Sequence, residues 1–268
     1  MMHYKKILGA VLFVAVTASG LFAATAKIQV PKVIDCLSEC GFTLTSFKSN
    51  VQSVLESIPD TVSPTNVPLT TEDSTRALGI IWNIKKDTFG YKICMDYEDN
   101  VTKRNVLKIL ASVYDPLGVA SPTLIEAKKI FQEACKLHLQ WDGVLPASLQ
   151  KSWKKWIENI NCLTDFEVPR CMKRQEFHSR AELHTYADGS ERAYGCVSYL
   201  KLFYEDGSVS TSLVASKSRL TPLNNSTLKT IPRIELSAAK LAVELSCKLV
   251  SELDIEVKCY FGRTVQSF

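Results

Sequence analysis

The amino-acid sequence predicts an α+β or α/β fold, in which a helical region is followed by a β-β-β-α-β unit. Between residues 102 and 160, apolar residues recur at helical spacing in three segments separated by Pro and Gly. From residue 180 onward the pattern changes to the alternation of strands, interrupted by one long helical stretch. A content of 46% hydrophobic and 22% charged residues is typical of globular proteins and excludes wholesale disorder, collagen and multi-span membrane proteins.

The first 26 residues differ from the rest, and we expect residues 1–26 to be a signal peptide. Lys5 and Lys6 precede twenty residues without a charge, and Ala24-Thr25-Ala26 matches the small-residue pattern of a cleavage site. The alternative is an uncleaved anchor, but the many Ala, Gly, Ser and Thr residues make this stretch a poor one. No stable membrane span is therefore expected after cleavage, and a genuine leader would direct the protein to the secretory pathway. Nine scattered cysteines favour a reducing compartment instead, so the two signals conflict.

Residues 27–100 predict two helices followed by a pair of strands. Pro31 to Asp60 is typical of a helix, a turn and a second helix. After a linker rich in Pro, Ser and Thr, strands are predicted at Leu78 to Asn83 and at Phe89 to Met95, with a turn at Lys85-Lys86-Asp87 between them.

The helical region, residues 101–165, contains three predicted helices. Thr102 can cap the first, which ends at Asp115-Pro116-Leu117-Gly118. Ser121-Pro122 is a strong start signal for the second. The third follows Pro146, and its tryptophans fall on one apolar stripe that is expected to be core.

Five basic residues of this region are candidates for contacts with nucleic acid: Lys103, Arg104, Lys151, Lys154 and Lys155. The alternative is that the lysines of the third helix form an ordinary solvated face. The net charge of +4 is compatible with a nucleic-acid partner but does not argue for one.

The last part of the chain predicts a small sheet. Strands are expected at Leu183 to Ala187, Ala193 to Leu202 and Val209 to Ser216. A long helix then starts at Thr230-Ile231-Pro232, and a fourth strand follows at Glu256 to Phe261. This order indicates an antiparallel hairpin sheet to which a helical crossover adds a fourth strand.

Two carboxylates of this unit could form a metal site. Asp188 ends the first strand, and Glu235 lies in the first turn of the long helix. If the helix crosses the sheet, the two side chains meet at one edge, where oxygen ligands suit Mg²⁺. The alternative is structural, because Asp188-Gly189-Ser190 is a good turn and Glu235 suits a helix N-terminus.

Seven short motifs in this order resemble the pol polyprotein of BEL/Pao LTR retrotransposons, in the region labelled Pao retrotransposon peptidase. They are Thr102-Lys103-Arg104, Tyr114-Asp115-Pro116-Leu117-Gly118, Trp141-Asp142, Tyr186-Ala187-Asp188-Gly189-Ser190, Ala193-Tyr194-Gly195, Lys217-Ser218-Arg219 and Ile231-Pro232-Arg233-Ile234-Glu235-Leu236. No single motif is specific, but their common order is. The similarity extends over residues 31–268.

The resemblance implies three pieces after the leader. Residues 27–100 would be the C-terminal remnant of a reverse transcriptase palm, residues 101–165 a thumb or connection region, and residues 180–268 a partial RNase H-like domain. In RNase H-like domains the first-strand aspartate and the first-helix glutamate bind catalytic metal, and Asp188 and Glu235 match these positions. The resemblance implies Mg²⁺ as cofactor, and RNA–DNA hybrid, other nucleic acid and further polyprotein segments as partners. Without a genuine leader, such a retroelement protein would be cytoplasmic or nuclear.

Departures from the family pattern bear on activity. The polymerase motif Tyr-x-Asp-Asp does not occur, and Thr264 stands where the family carries a third metal-binding carboxylate. A neutral hydroxyl is a poor substitute for that ligand. The protease motifs Asp-Thr-Gly and Asp-Ser-Gly are also absent, since residues 188–190 read Asp-Gly-Ser. Peptidase activity is not expected.

The sequence therefore favours a retrotransposon polyprotein fragment without independent catalysis. One alternative is part of an active reverse transcriptase and RNase H polyprotein, which cleaves the RNA strand of RNA–DNA hybrids with two metal ions. A second is a secreted, non-catalytic binding or structural protein, for which only the leader argues.

Overall fold

A computed structural model describes residues 21–41, 49–56, 58, 74–77, 80–91, 93, 95, 98–172, 179–222, 230–253 and 255–263. Most of the predicted leader, most of the linker and Thr264 lie outside these residues. The chain divides into two compact units, described separately below. The first comprises 1–77, 81–89 and 167–171, and the second comprises 78–80, 90–166 and 172–268. Among the described residues, no helix has both the length and the apolar character needed to cross a membrane.

The first unit contains two helices and most of a four-stranded sheet. The helices are α1, Leu21–Glu39, and α2, Gln52–Leu55. The strands are β1, Ser74–Ala77, β2, Ile80–Asn83, β3, Thr88–Gly90, and β4, Glu167–Pro169, and they lie side by side in that order.

Several boundaries in this unit differ from the sequence prediction. The first helix was predicted to begin at Pro31, but α1 begins ten residues earlier and includes Ala24-Thr25-Ala26. The alanines in its first turns favour a helix. The prediction of a leader over residues 1–26 did not take this helix propensity into account. Strand β3 is shorter than the predicted strand at Phe89 to Met95, and β1 lies in the segment that was predicted to be linker.

Asp87 organises the β2–β3 turn of the first unit. Its backbone has a left-handed φ of 54°. Its carboxylate accepts hydrogen bonds from Trp82 Nε1 at 3.0 Å, from Arg170 Nη2 at 2.8 Å and from Arg170 Nε. The Arg170 backbone N–H donates to the Asp87 carbonyl at 2.9 Å. The Arg170 side chain is fully buried, so this ion pair fixes the segment of β4 to the turn.

The second unit begins with the predicted three helices. They are α3, Lys103–Ser112, α4, Ser121–Lys136, and α5, Ala147–Ile160, followed by a 3₁₀ turn at Asn161–Asp165. The Thr102 side chain accepts from the Asn105 N–H, and the Asn105 side chain accepts from the Thr102 N–H, which forms a capping box.

The tryptophans of α5 lie in the core, as predicted. Trp153 and Trp156 are 1% and 4% exposed, and their rings stack at a centroid distance of 4.6 Å. The indole N–H of Trp156 donates to the carbonyl of Thr123 at 2.8 Å, so the buried polar atom is satisfied. These contacts join α5 to the start of α4.

The β-β-β-α-β unit follows, and its predicted order is confirmed. It contains β5, Arg180–Gly189, β6, Ala193–Phe203, β7, Val209–Leu220, α6, Ile231–Glu252, and β8, Lys258–Arg263. The spatial order is β7-β6-β5-β8, with β8 parallel to β5 and the other pairs antiparallel. Helix α6 covers one face, where the buried Thr185 hydroxyl bonds both Ser198, at 2.8 Å, and Ser246, at 2.7 Å.

The motif Tyr114 to Gly118 holds the three helices against the edge strand β7. The Ser216 N–H donates to the Leu117 carbonyl at 2.7 Å, and Ser216 Oγ donates to the Gly118 carbonyl at 2.6 Å. Gly118 has a φ of +77°, and a Cβ placed there would lie 2.0 Å from the Ser216 carbonyl oxygen. Only glycine fits here, and the contact covers part of an otherwise open sheet edge.

Asp115 of the same motif binds a buried tyrosine. Tyr91 Oη donates to Asp115 Oδ1 at 2.7 Å, and the ring is 8% exposed. Burial, together with the hydrogen bond to Asp115 and its negative charge, raises the pKa of Tyr91. The phenol is therefore held neutral in the folded protein.

Tyr91→Phe is expected to lower the free energy of unfolding at pH 7 by about 1–2 kcal/mol, because it removes a buried hydrogen bond to a carboxylate. The folded pKa of Tyr91 is raised, so its contribution is complete below the unfolded pKa of about 10 and is lost as pH rises above it. Urea unfolding from pH 7 to 11 should show a smaller alkaline loss in Tyr91→Phe than in the wild type. The control Tyr114→Phe changes an exposed ring and should behave like the wild type. Equal alkaline slopes for all three proteins would contradict this assignment.

Candidate functional site

Asp188 lies at the carboxyl end of β5. It pairs with Gly195 of β6, and the neighbouring Ala187 pairs with Arg263 of β8. The side chain is exposed, and its Oδ1 accepts a hydrogen bond from the N–H of Gly189 at 2.8 Å. A carboxylate is thus presented where three strands run side by side.

Glu235 lies in the first turn of α6 and is half-buried. The N-terminal end of this helix approaches the end of β5 because residue 189 has no side chain. A Cβ at Gly189 would lie 2.9 Å from Cγ2 of Ile234 and 3.3 Å from the backbone nitrogen of Glu235. The structure therefore brings Asp188 and Glu235 to the same edge of the sheet.

These two residues can supply only part of a two-metal site. Thr264, the predicted neutral replacement for a third carboxylate, follows the last described residue of β8. Within the described segments, no group of three or more His, Cys, Asp or Glu residues is placed to hold a metal ion. Mg²⁺ commonly binds one or two carboxylates and takes its other ligands from water and phosphate, so carboxylates are the right chemical type of ligand for this ion.

Lys103 and Arg104, two candidates for nucleic-acid contacts, make contacts within the helical region. Lys103 Nζ donates to the Leu139 carbonyl at 2.7 Å and lies 4.6 Å from the centre of the Trp141 ring. Arg104 binds the Asp142 carboxylate through two hydrogen bonds of 2.7 and 3.0 Å. This guanidinium holds the pKa of Asp142 below its usual value. The motifs Thr102-Lys103-Arg104 and Trp141-Asp142 therefore meet in space.

The lysines of α5 lie on its exposed side. Lys151, Lys154 and Lys155 are exposed, whereas Trp153 and Trp156 on the opposite side are buried. This is the placement of a solvated helix face, and it leaves the three lysines accessible to a partner.

Aromatic and cationic side chains that the sequence did not single out lie together on the sheet face that points away from α6. They come from alternate positions of β5, β6 and β8, and cations lie over several of the rings. The available signal was the period-2 placement of Arg180, His184 and Tyr186 on one strand. It becomes informative only when the register of the neighbouring strands is known.

A protein-family model described as Pao retrotransposon-like RNaseH-like domain matches residues 102–263, more than half of the chain. The chain belongs to this Pao RNase H-like family. The match begins at the cap of α3 and ends with β8, so the Pao region includes both the helices and the sheet.

The Pao chain has a remote likeness to a solved structure of the foamy viral protease-reverse transcriptase in complex with dsDNA. The two chains are 11% identical with a TM-score of 0.32, and the alignment covers 73% of this chain and 46% of that one. The protein thus spans less than half the length of this structural relative. No curated protein matches the sequence.

Proposed function

We propose that this Pao RNase H-like chain is a segment of a BEL/Pao-type polyprotein that binds RNA–DNA hybrid at the sheet edge bearing Asp188 and Glu235. The observation that carries the proposal is the contact of Gly189 with Ile234 and Glu235, which holds both carboxylate residues at one edge. Membership of an RNase H-like family supports a nucleic-acid ligand at this place. Residues 27–100 would then be the adjoining end of a reverse transcriptase palm.

The chemistry of the site follows from its two carboxylates. Asp188 and Glu235 would hold one Mg²⁺, which when bound would neutralise charge on a phosphate of the hybrid. The hydrogen bond from the Gly189 N–H orients the Asp188 carboxylate, and the first turn of α6 orients Glu235. We propose that this arrangement binds the hybrid without cleaving it, because Thr264 offers no carboxylate for a second ion.

The second candidate is an active RNase H that works as part of a longer polyprotein. The same Gly189 contact favours it, because the two carboxylates keep the edge position that a two-metal nuclease uses. In that case other polyprotein segments would contribute the remaining acidic ligands.

Binding of a labelled RNA–DNA hybrid should become about tenfold tighter when Mg²⁺ is added, equivalent to about 1.4 kcal/mol. Asp188→Asn should abolish this gain, because one of the two carboxylates that hold the ion is lost. Fluorescence anisotropy with and without Mg²⁺ measures the effect, and denaturing gels of the same samples should show intact RNA. Glu205→Gln, a carboxylate change in the exposed β6–β7 turn, is the matched control and should keep the gain.

Two results would change the conclusion. Hybrid affinity that does not respond to Mg²⁺ would reject the metal site. RNA cleavage that requires Mg²⁺ or Mn²⁺ and disappears in Asp188→Asn would reject the non-cleaving proposal in favour of an active RNase H.

A further inference from the structure

The sheet of the second unit has a face that points away from α6, here called the outer face. Thr185 points towards α6 and bonds Ser246, so the alternate residues of β5 point the other way. The register then places the matching residues of β6 and β8 beside them. The aromatic and charged members of the outer face before Asp188 are Arg180, Glu182, His184, Tyr186, Tyr199, Lys201, Phe203, Lys258 and Tyr260.

Cations and aromatic rings are interleaved on the outer face. The guanidinium carbon of Arg180 lies 4.0 Å from the centre of the Phe203 ring, and Lys201 Nζ lies 4.9 Å from it. Lys258 Nζ lies 5.3 Å from the Tyr260 ring. These contacts hold positive groups beside flat apolar surfaces, the combination with which proteins bind unpaired nucleotides.

The carboxylate of Glu182 is enclosed by positive and polar neighbours. The Glu182 side chain is 8% exposed. Its carboxylate accepts a hydrogen bond from His184 Nε2 at 2.8 Å and forms an ion pair with Arg180 Nε at 3.3 Å. The hydrogen bond from His184, with further help from the charges of Arg180 and Lys201, lowers the pKa of Glu182. The face therefore presents three cationic side chains, while its one carboxylate in this region is turned into the cluster.

Aromatic surface continues from this cluster towards Asp188. His184 stacks on Tyr260 with a centroid distance of 4.8 Å and an angle of 11° between the rings. Tyr186, the next outer residue of β5, is 38% exposed and lies against β8, where a Cβ at Gly262 would come within 2.8 Å of its ring. A strand lying along β5 would thus pass from the cations over aromatic rings to the carboxylate edge.

We propose that the outer face is a binding site for single-stranded nucleic acid. Arg180, Lys201 and Lys258 contact its phosphates, and Tyr186 and Tyr260 stack with its bases. This site adjoins the proposed hybrid site but does not include Asp188 or Glu235, and it needs no metal ion. Charge complementarity selects a polyanion over an apolar protein segment or a second copy of this chain, because three cations frame the aromatic surface.

The test measures binding of fluorescein-labelled oligo-dT and oligo-U to the full chain by anisotropy at several salt concentrations. The double variant Lys201→Ala/Lys258→Ala should bind about tenfold more weakly, and the slope of log K against log salt should fall by about 1.4, which is two phosphate contacts. Tyr186→Ala should also weaken binding by about tenfold, because a stacked base is lost, but should keep the salt slope.

Controls separate this site from the other candidates. Lys151→Ala/Lys155→Ala removes two exposed lysines of α5 and should leave affinity and salt slope unchanged. Asp188→Asn should also retain single-strand binding, so that failure of the hybrid proposal and failure of this one are distinguishable. Circular dichroism melting of each variant establishes that it is folded.

Three outcomes would overturn the proposal: no binding by the wild type, equal binding by the outer-face variants, or loss of binding only in the α5 double variant. Sedimentation velocity tests the alternative that a second copy of the chain occupies the outer face. Self-association of the wild type that Lys201→Ala/Lys258→Ala abolishes, without any effect on oligonucleotide binding, would assign the outer face to a second copy of the chain.

Discussion

Gly118→Ala is expected to lower the free energy of unfolding by about 3 kcal/mol, since it combines a strained φ with the loss of two hydrogen bonds. An alanine Cβ would lie 2.0 Å from the Ser216 carbonyl oxygen and 2.7 Å from its carbonyl carbon. Backbone atoms cannot rotate away as a side chain can, so the Leu117-Gly118 segment must leave β7. Urea unfolding followed by circular dichroism measures the loss.

Gly207→Ala separates the two contributions. Gly207 has nearly the same backbone angle as Gly118, with a φ of +79°, but a Cβ there would meet no atom within 4 Å. It should therefore cost only the left-handed strain, about 1 kcal/mol. A Gly118→Ala variant no less stable than Gly207→Ala would show that the contact with Ser216 does not contribute to stability.

Gly118→Ala should affect association as well as stability. Detachment of Leu117 from the Ser216 N–H opens part of the edge strand β7 to pairing with another chain. Size-exclusion chromatography should show more oligomer for Gly118→Ala than for Gly207→Ala.

The β-β-β-α-β unit could be predicted from the sequence because its signals are local. In strand β6, partly exposed and buried residues alternate from Gly195 to Phe203, and Pro232 lies in the first turn of α6. Strand β5 was predicted too short at both ends. Its outer positions, such as Arg180 and Tyr186, do not follow a simple apolar–polar alternation, because cations and rings share that face.

Contacts between distant segments could not be predicted in this way. Strand β4 has three residues, one of them Pro169, and it joins a sheet whose other strands lie far earlier in the chain. The sequence identified Arg104 as basic but could not show its pairing with Asp142, which is 38 residues away. Local patterns carry no information about either pairing.

The carboxylate edge could be predicted from the sequence only in part. The order of strand and helix predicted that Asp188 and Glu235 could share an edge, and the structure places them there through Gly189. Their roles as metal ligands stay a prediction, which the Mg²⁺ dependence of hybrid binding tests. The aromatic and cationic outer face needed the strand register and was not foreseen.

Asp87→Asn is expected to lower the free energy of unfolding by about 3 kcal/mol, the range measured when one partner of a buried ion pair is removed. Asparagine tolerates the left-handed φ of 54° and can still accept the Trp82 hydrogen bond, so backbone strain stays small. What changes is the charge facing Arg170, whose side chain is fully buried. Chemical denaturation monitored by Trp fluorescence measures the loss.

Glu167→Gln is the matched control, because it removes the carboxylate of an exposed ion pair in the same sheet. Glu167 pairs with Lys86 at 3.1 Å, but the two side chains are 37% and 64% exposed. Water screens such a pair, and its loss should leave the unfolding midpoint nearly unchanged. If both variants lost stability equally, net charge rather than burial would explain the effect. If Asp87→Asn were as stable as the wild type, the Arg170 pair would not be what fixes β4 to the turn.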